Sequence, residues 1–266
     1  MPPISLAITG AAGRMGKRLI ALAVEQPEVF KVVCALEAAG SPVLGQDAGT
    51  LAGVAPIGVP VTASITGTPK VVIDFSVPIA TRAMIATCVE HKLALLIGTT
   101  GLTADDQALI DAAGKTIPIL QAANTSLGVN LLLATAAQIA RQLGADYDIE
   151  IVEVHHNQKK DAPSGTALAL AESICKATGR DVQKDLVHGR AGHDAKRQKG
   201  TIGMHALRMG DVVGDHTIHY STPGERVELR HVASTRDTFA KGALRAAQYM
   251  ATAKVGRHTM KDVLGL

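Results

Sequence analysis

Residues 152–170, VEVHHNQKKDAPSGTALAL, gather His155, His156, Lys159 and Lys160 immediately before a Ser164-Gly165-Thr166 corner. Imidazole and ammonium groups exchange protons with a reacting centre or neutralise charge that develops on it. A helix that starts at such a corner offers backbone N–H groups and a partial positive charge, to which a Thr hydroxyl adds a donor, so it can hold a carboxylate. The set suits a small carboxylate with an imine or enamine-like centre; the plainer alternative is a polar loop with a helix cap. Neighbouring residues of a strand face opposite sides, so the two histidines do not chelate one metal simply. The chain has no H-E-x-x-H and no Cys cluster, and no metal site is expected.

A second chemical segment is ISLAITGAAGRMGKRLI, with Gly10, Gly13 and Gly16 between a strand and a helix. Glycine permits the tight turn, lets the backbone approach a pyrophosphate and lets the helix pack on the strand. The spacing is G-x-x-G-x-x-G, a departure from the commoner G-x-G-x-x-G. Glu37 ends the next strand, where an acid accepts hydrogen bonds from an adenosine ribose. Loop, acid and topology together predict a nicotinamide dinucleotide site. Ala38 follows the acid with no Arg or Lys beside it, so a 2′-phosphate lacks an obvious partner, and NADH is expected to serve at least as well as NADPH. IGTTG (97–101) and AANTS (122–126) lie at the carboxyl ends of two further strands, where ligands of open α/β sheets gather. Gly98, Thr99 and Thr100 are placed to reach the nicotinamide half.

The elements that must position these groups follow from hydrophobic spacing. Short apolar runs at 4–9, 31–37, 70–76, 93–101 and 116–120 read as strands. Helical periodicity fills 14–25, roughly 79–91 and 103–113 between them. Strand-helix alternation predicts right-handed crossovers and a Rossmann-like, doubly wound parallel sheet. After Asn124 the pattern changes to a long apolar helix at 127–143 and an alternating strand at 147–156, with Ile149, Ile151 and Val154 set against Glu150 and Glu153 on a wetter face. A helix capped by Ser164 and stopped by Gly179 follows, with Ala167, Leu170, Ala171 and Ile174 as its buried stripe. More β-like runs lie at 201–209, 216–221 and 226–233. The expected organisation is an α/β dinucleotide-binding domain from 1–124 and 236–266, completed by a returning helix at 238–252, and a second α+β domain at 125–235 for substrate binding and oligomerisation. AGHDAKRQKG (191–200), rich in glycine and positive charge, is either a lid that attracts a dianion or a plain polar loop.

Composition narrows the class. Of 266 residues, 47% are apolar but only 2% aromatic, with no Trp, so the core is expected to be aliphatic, and the shortage of rings argues against base-stacking platforms for nucleic acid. Net charge is +3, short of a nucleic-acid binder. Three Cys without framework spacing, a start MPPISLAITG too lightly charged for a signal peptide and no membrane-length apolar run predict a cytoplasmic protein.

ITGAAGRMGKRLI, VIDFS, IGTTG, AANTSLGVN, EVHHNQKKDAPSGTAL, KGTIGMHALRMGDVVGDHT and HVASTRDTFAKGALRAA occur in the order and spacing of one family. Over nearly its whole length the chain resembles the 4-hydroxy-tetrahydrodipicolinate (dihydrodipicolinate) reductases of lysine and diaminopimelate biosynthesis. The H-H-x-x-K-x-D-A-P-S-G-T motif is far more specific than the glycine loop. The resemblance implies an NAD(P)H-dependent reduction of a cyclic unsaturated imine dicarboxylate to tetrahydrodipicolinate, in a homotetramer joined through the substrate-domain sheets. It implies His155 and Lys159 as the proton-transfer pair, and His156, Ser164, Gly165 and Thr166 as the substrate-binding set. Cofactor contacts are implied at Gly10, Ala11, Ala12, Gly13, Arg14, Met15, Glu37, Phe75, Gly98, Thr99, Thr100, Ala122, Ala123, Asn124, Thr125, Arg236 and Phe239. Two positions depart from the family: many members carry Arg where Ala38 stands and an aromatic where Thr125 stands. A semialdehyde-type dehydrogenase is the rival enzyme, but it needs a nucleophilic Cys, and Cys34, Cys88 and Cys175 fall inside predicted elements. A nucleotide-sensing protein without turnover would keep the glycine loop and have no need of the His-Lys-Ser-Gly-Thr set.

Overall fold

The computed structural model describes residues 2–266 and divides into two units, one running to Leu127 and resuming over Asp237–Leu266, the other Gly128–Arg236. The first unit is built from β1 (Ile4–Thr9), α1 (Arg14–Val24), β2 (Phe30–Leu36), α2 (Ala48–Ala52), β3 (Val61–Thr62), β4 (Val71–Asp74), α3 (Pro78–His91), β5 (Ala94–Ile97), α4 (Ala104–Ala113) and β6 (Pro118–Gln121). The second contains α5 (Leu127–Leu143), β7 (Asp148–His155), α6 (Gly165–Thr178), α7 (Val182–Asp185), β8 (Leu186–His188), β9 (Ile202–Arg208), β10 (Gly214–Thr222) and β11 (Glu225–Ala233). The chain then returns to the first unit with α8 (Asp237–Met250), β12 (Gly256–His258) and α9 (Met260–Leu264).

Successive residues of a strand face opposite sides, and in the first unit both sides are dry. Leu6 and Ile8, Val71 and Ile73, and Ala94 and Leu96 pack into one aliphatic core with α1 and α8. Ala7, Val72, Leu95 and Ile97 pack into a second with α3 and α4. That is why β4 and β5 read as unbroken apolar runs: every residue in them is buried. The sheet order is β12-β6-β5-β4-β1-β2-β3, and every pairing is parallel. Because β1 lies between β2 and β4, crossovers leave it in opposite directions and open a crevice at its carboxyl end. The five strands read from the sequence all form; β3 and β12, two and three residues long, carry too little pattern to be seen and occupy the two edges.

The second unit is a mixed sheet ordered β11-β10-β7-β9-β8, with α5 and α6 on one face. Ile149, Ile151, Met204, Ile218 and Tyr220 meet Leu132 and Ala136 of α5 and Leu170 and Ile174 of α6. Tyr220 is fully buried, and its hydroxyl donates to the Ala136 carbonyl at 2.7 Å. One strand assignment needs correction. Glu153 does not share the wetter face with Glu150: it lies on the core side with Ile149 and Ile151, with no exposure, while Val154 turns outward. Strict period-two counting places 149, 151, 153 and 155 together; the carboxylate is tolerated inside because it is fully hydrogen-bonded there. No helix among the described residues is long and apolar enough to cross a membrane.

Candidate active site

At the carboxyl edge of the first sheet the chain presents five successive turns. Gly10, after β1, has φ +73°, and a Cβ there would press on the Phe75 carbonyl at 2.5 Å. Its amide and that of Ala11 donate to the Leu36 carbonyl at 3.0 and 3.1 Å. Gly16 packs so closely that a Cβ would collide with the Gly10 carbonyl. Gly13 caps α1 without a side chain, which leaves the first-turn amides, beginning at exposed Arg14 and half-buried Met15, for an outside acceptor. Glu37, just past β2, accepts from the Ala12 amide at 2.8 Å, so the ribose acid expected from the sequence also ties down the glycine loop.

The next turns are equally constrained. The Phe75 ring lies where a Cβ on Gly98 would be. Thr99 is buried and its hydroxyl donates to Asp74 at 3.0 Å while accepting from the Ser76 amide at 3.0 Å. Asp74 is fully buried, and it also accepts from Ser76 and Thr81 hydroxyls, each at 2.5 Å. Burial pushes its pKa up against those hydrogen bonds. This Asp74 network was invisible in the sequence, where VIDFS gives the end of a strand and the Phe75 position but no partner for Asp74. Thr100 and Ala123 are exposed, Ala122 and Asn124 half-buried. Asn124 accepts the Ser126 amide at 2.9 Å. Thr125 is 1% exposed, and its hydroxyl donates to the Phe239 carbonyl at 2.7 Å, so it fastens α8 to the sheet edge. Arg236 belongs to the second unit and is exposed. The cradle fits a dinucleotide: glycines that let the loop close tightly on its own backbone, a bare helix start and an acid just past the neighbouring strand.

In the second unit, β7 carries His155 to its carboxyl end, 9% exposed, and His156 follows half-buried. The Met209 amide donates to the His155 carbonyl at 2.9 Å and the Asn157 amide to the Gly210 carbonyl at 3.2 Å, which ties this corner to the turn after β9. Lys159 reaches Asp161 at 2.9 Å. Ser164 caps α6: its hydroxyl accepts from the Ala167 amide at 3.1 Å and bonds His216 Nε2 at 3.1 Å. Burial, then the neighbouring His155, pushes the His216 pKa down to about 4. Gly165 is exposed at the start of the helix and Thr166 is half-buried. Sequence reasoning missed Glu153, Arg208 and His216. Glu153 receives the Ser164 amide at 3.0 Å, His155 Nδ1 at 2.6 Å and both terminal nitrogens of Arg208 at 2.8 and 2.9 Å. One carboxylate therefore joins the histidine to the helix start. No group of three His, Cys, Asp or Glu among the described residues could hold a metal. Cys34, Cys88 and Cys175 are all buried, and burial with the nearby Asp74 pushes the Cys88 thiol up to about 12, so none is an activated nucleophile.

Known proteins resemble the chain over nearly its whole length. The family model for the dihydrodipicolinate reductase N-terminus matches residues 4–125, and that for the C-terminus residues 128–264. Proteins named 4-hydroxy-tetrahydrodipicolinate reductase from Alkalilimnicola ehrlichii and Pseudomonas fluorescens are each 47% identical over 98% of this chain and 98% of their own. A solved dihydrodipicolinate reductase from Paenisporosarcina sp. TG-14, with dipicolinate bound, superimposes with a TM-score of 0.73 at 23% identity, covering 97% of each chain. Two matched halves and near-complete relatives at this identity leave one conclusion: the chain belongs to the dihydrodipicolinate reductase family.

Proposed function

We propose that this protein reduces 4-hydroxy-tetrahydrodipicolinate to tetrahydrodipicolinate with NADH or NADPH, a step of lysine and diaminopimelate biosynthesis. The observation that carries the reading is the Glu153 bridge, which sets a histidine held by Nδ1 beside an exposed helix start on the motif the family shares. Gly165 and Thr166 at that start would hold a substrate carboxylate, with His156 beside them. Ser164 keeps the start in place. His155 and Lys159 would supply the proton that quenches negative charge in the reduced ring, a role typically worth ~10²–10⁴-fold in rate. On the first unit, Gly10 to Met15 and Glu37 would hold the dinucleotide's phosphates and ribose. Gly98 to Thr100 are proposed for its nicotinamide half, and Phe75, Ala122 to Thr125 and Phe239 for further contacts with the cofactor. A reduced nicotinamide bound there supplies hydride.

The proposed assembly is a homotetramer formed through the sheet of the second unit. Its outward face sets Val154 beside Leu207 in register, and Val232 across from Asp215. Leu207 and Val232 are 42% and 49% exposed, a stripe that a second copy would cover. The test of function is a coupled assay: with the condensation product of a dihydrodipicolinate synthase as substrate, purified protein should consume reduced nicotinamide. NADH should give kcat/KM at least comparable to NADPH, because Glu37 would meet the ribose and Ala38 beside it offers a 2′-phosphate no cationic partner. No consumption with either coenzyme would end the reading, and a hundredfold preference for NADPH would overturn the coenzyme assignment.

A further inference from the structure

Glu153 is a buried carboxylate with no exposure, and its bridge to His155 bears on which nitrogen of that ring exchanges a proton. Both its oxygens are engaged. Oε1 accepts the Ser164 amide at 3.0 Å and an Arg208 nitrogen at 2.8 Å; Oε2 accepts the other Arg208 nitrogen at 2.9 Å and faces His155 Nδ1 at 2.6 Å. Burial alone would raise its pKa, but the Arg208, His155 and Ser164 hydrogen bonds outweigh burial and hold it low. An ionised carboxylate only accepts, so the proton in the 2.6 Å contact sits on Nδ1. That fixes the tautomer: a neutral His155 carries its lone pair on Nε2, and a charged His155 releases its proton from Nε2.

The surroundings agree. A Cβ on Gly214 would lie 3.0 Å from His155 Nε2, so glycine at this position keeps the outer edge of the ring clear. On the inner side His216 meets the His155 ring edge-on, centroids 5.3 Å apart. Arg208 also donates to the Asp161 carbonyl at 2.7 Å, so the same guanidinium that clamps Glu153 fastens the loop bearing Lys159. The charged and titratable groups facing His155 are thus Glu153 of β7, Arg208 of β9 and His216 of β10, with Asp215 and His231 beyond His216.

We propose that Glu153 is a positioning residue for proton transfer: clamped by Arg208 and the Ser164 amide, it holds His155 by Nδ1 so that Nε2 is the atom that exchanges the proton with substrate. This rests on the reading of His155 as the proton-exchanging residue. Glu153→Gln is nearly isosteric and should lower kcat about 10- to 100-fold, by analogy with other oriented histidines, with KM changed less than about twofold. A double-mutant cycle separates positioning from structure. In a His155→Asn background, Glu153→Gln should change the residual kcat less than twofold, because the ring on which it acts is gone. Should Glu153→Gln alone fail to fold with Arg208 unpaired, Glu153→Gln with Arg208→Met removes the stranded charge, and the same cycle is run on that pair. Full additivity in either cycle, or wild-type kcat in Glu153→Gln, overturns the positioning role. Wild-type kcat in His155→Asn would instead remove the role of His155 itself, so the two failures are told apart.

Discussion

Lys159 stands on a short connection with its ammonium 2.9 Å from Asp161 and its side chain 20% exposed, whereas Asp161 is 62% exposed. Such a surface pair is worth little on its own, so a doubly charged substrate can compete for the ammonium without a large penalty. Lys159→Ala should therefore lower kcat by ~10²-fold or more while the far-UV circular dichroism stays native; a variant that keeps over half of wild-type kcat removes Lys159 from the chemistry. The histidines, the lysine and the Ser-Gly-Thr corner stand out in the sequence as candidates because proton-exchanging and anion-holding residue types gather within twelve positions there. Glu153 does not, since an acid inside an alternating strand is read as solvated. Only the register, with Ile149, Ile151, Glu153 and His155 in phase, reveals it, and only the folded chain shows Arg208 arriving from 55 residues away to neutralise it. Thr125 likewise has a partner that its motif does not announce: its hydroxyl donates to the Phe239 carbonyl, 114 positions along the chain.

Elements shape what the site's loops can do. The segment 191–200, read from the sequence as a lid or a plain polar loop, is pinned just before its start and near its end. Arg190 grips Glu150 with two nitrogens, at 2.7 and 3.0 Å. Arg197 reaches Glu150 at 3.0 Å, Asp148 at 2.7 Å and the Thr201 carbonyl at 2.6 Å. Gly203 opposes Glu150 in register, and a Cβ there would strike the carboxylate. Burial by itself would raise the Glu150 pKa, but Arg190, His205 and Arg197 outweigh it and hold it at about 2. A carboxylate depressed from 4.5 contributes stability above that value and loses it as pH falls through about 2. Glu150→Gln should thus cost about 1–2 kcal/mol in urea unfolding at neutral pH, a figure reduced for solvent screening of a side chain 24% exposed. The gap from wild type should close as pH falls from about 4.5 to about 2; a gap constant across that window would show that the Glu150 cluster holds nothing in place. Strands buried on both faces, such as β4 and β5, declared themselves by unbroken apolar runs. β8, three residues at the edge of the second sheet, and the five-residue α2 and α9 have no period to detect, because they are held by their neighbours rather than by their own pattern.

At the scale of the whole chain, a discontinuous first unit needs its last segment to be recognised as belonging to the first. The alanines of α8 do this: Ala240, Ala243, Ala246 and Ala247 are fully buried against the same core as Leu19 and Ile73. Gly242 lets the helix lie directly on the Thr125 carbonyl, where a Cβ would collide. Arg18 of α1 grips Asp237 at the start of α8 with bonds of 2.8 and 2.7 Å. The second unit completes its own core but covers only one face of its sheet. On the open face, Glu150, His205 and the His219–Glu228 pair make one end polar, while Val154, Leu207 and Val232 make the other more apolar around the Asp215–Arg230 pair. A surface divided in this way suits burial of the apolar end between copies, with the charged end at the rim. Light scattering of the purified protein should then give four times the chain mass. Placing Asp at both Leu207 and Val232 should shift the population to smaller species by burying like charges between copies, without loss of secondary structure. A monomeric wild type, or a double variant that stays tetrameric, would move the assembly surface away from this sheet.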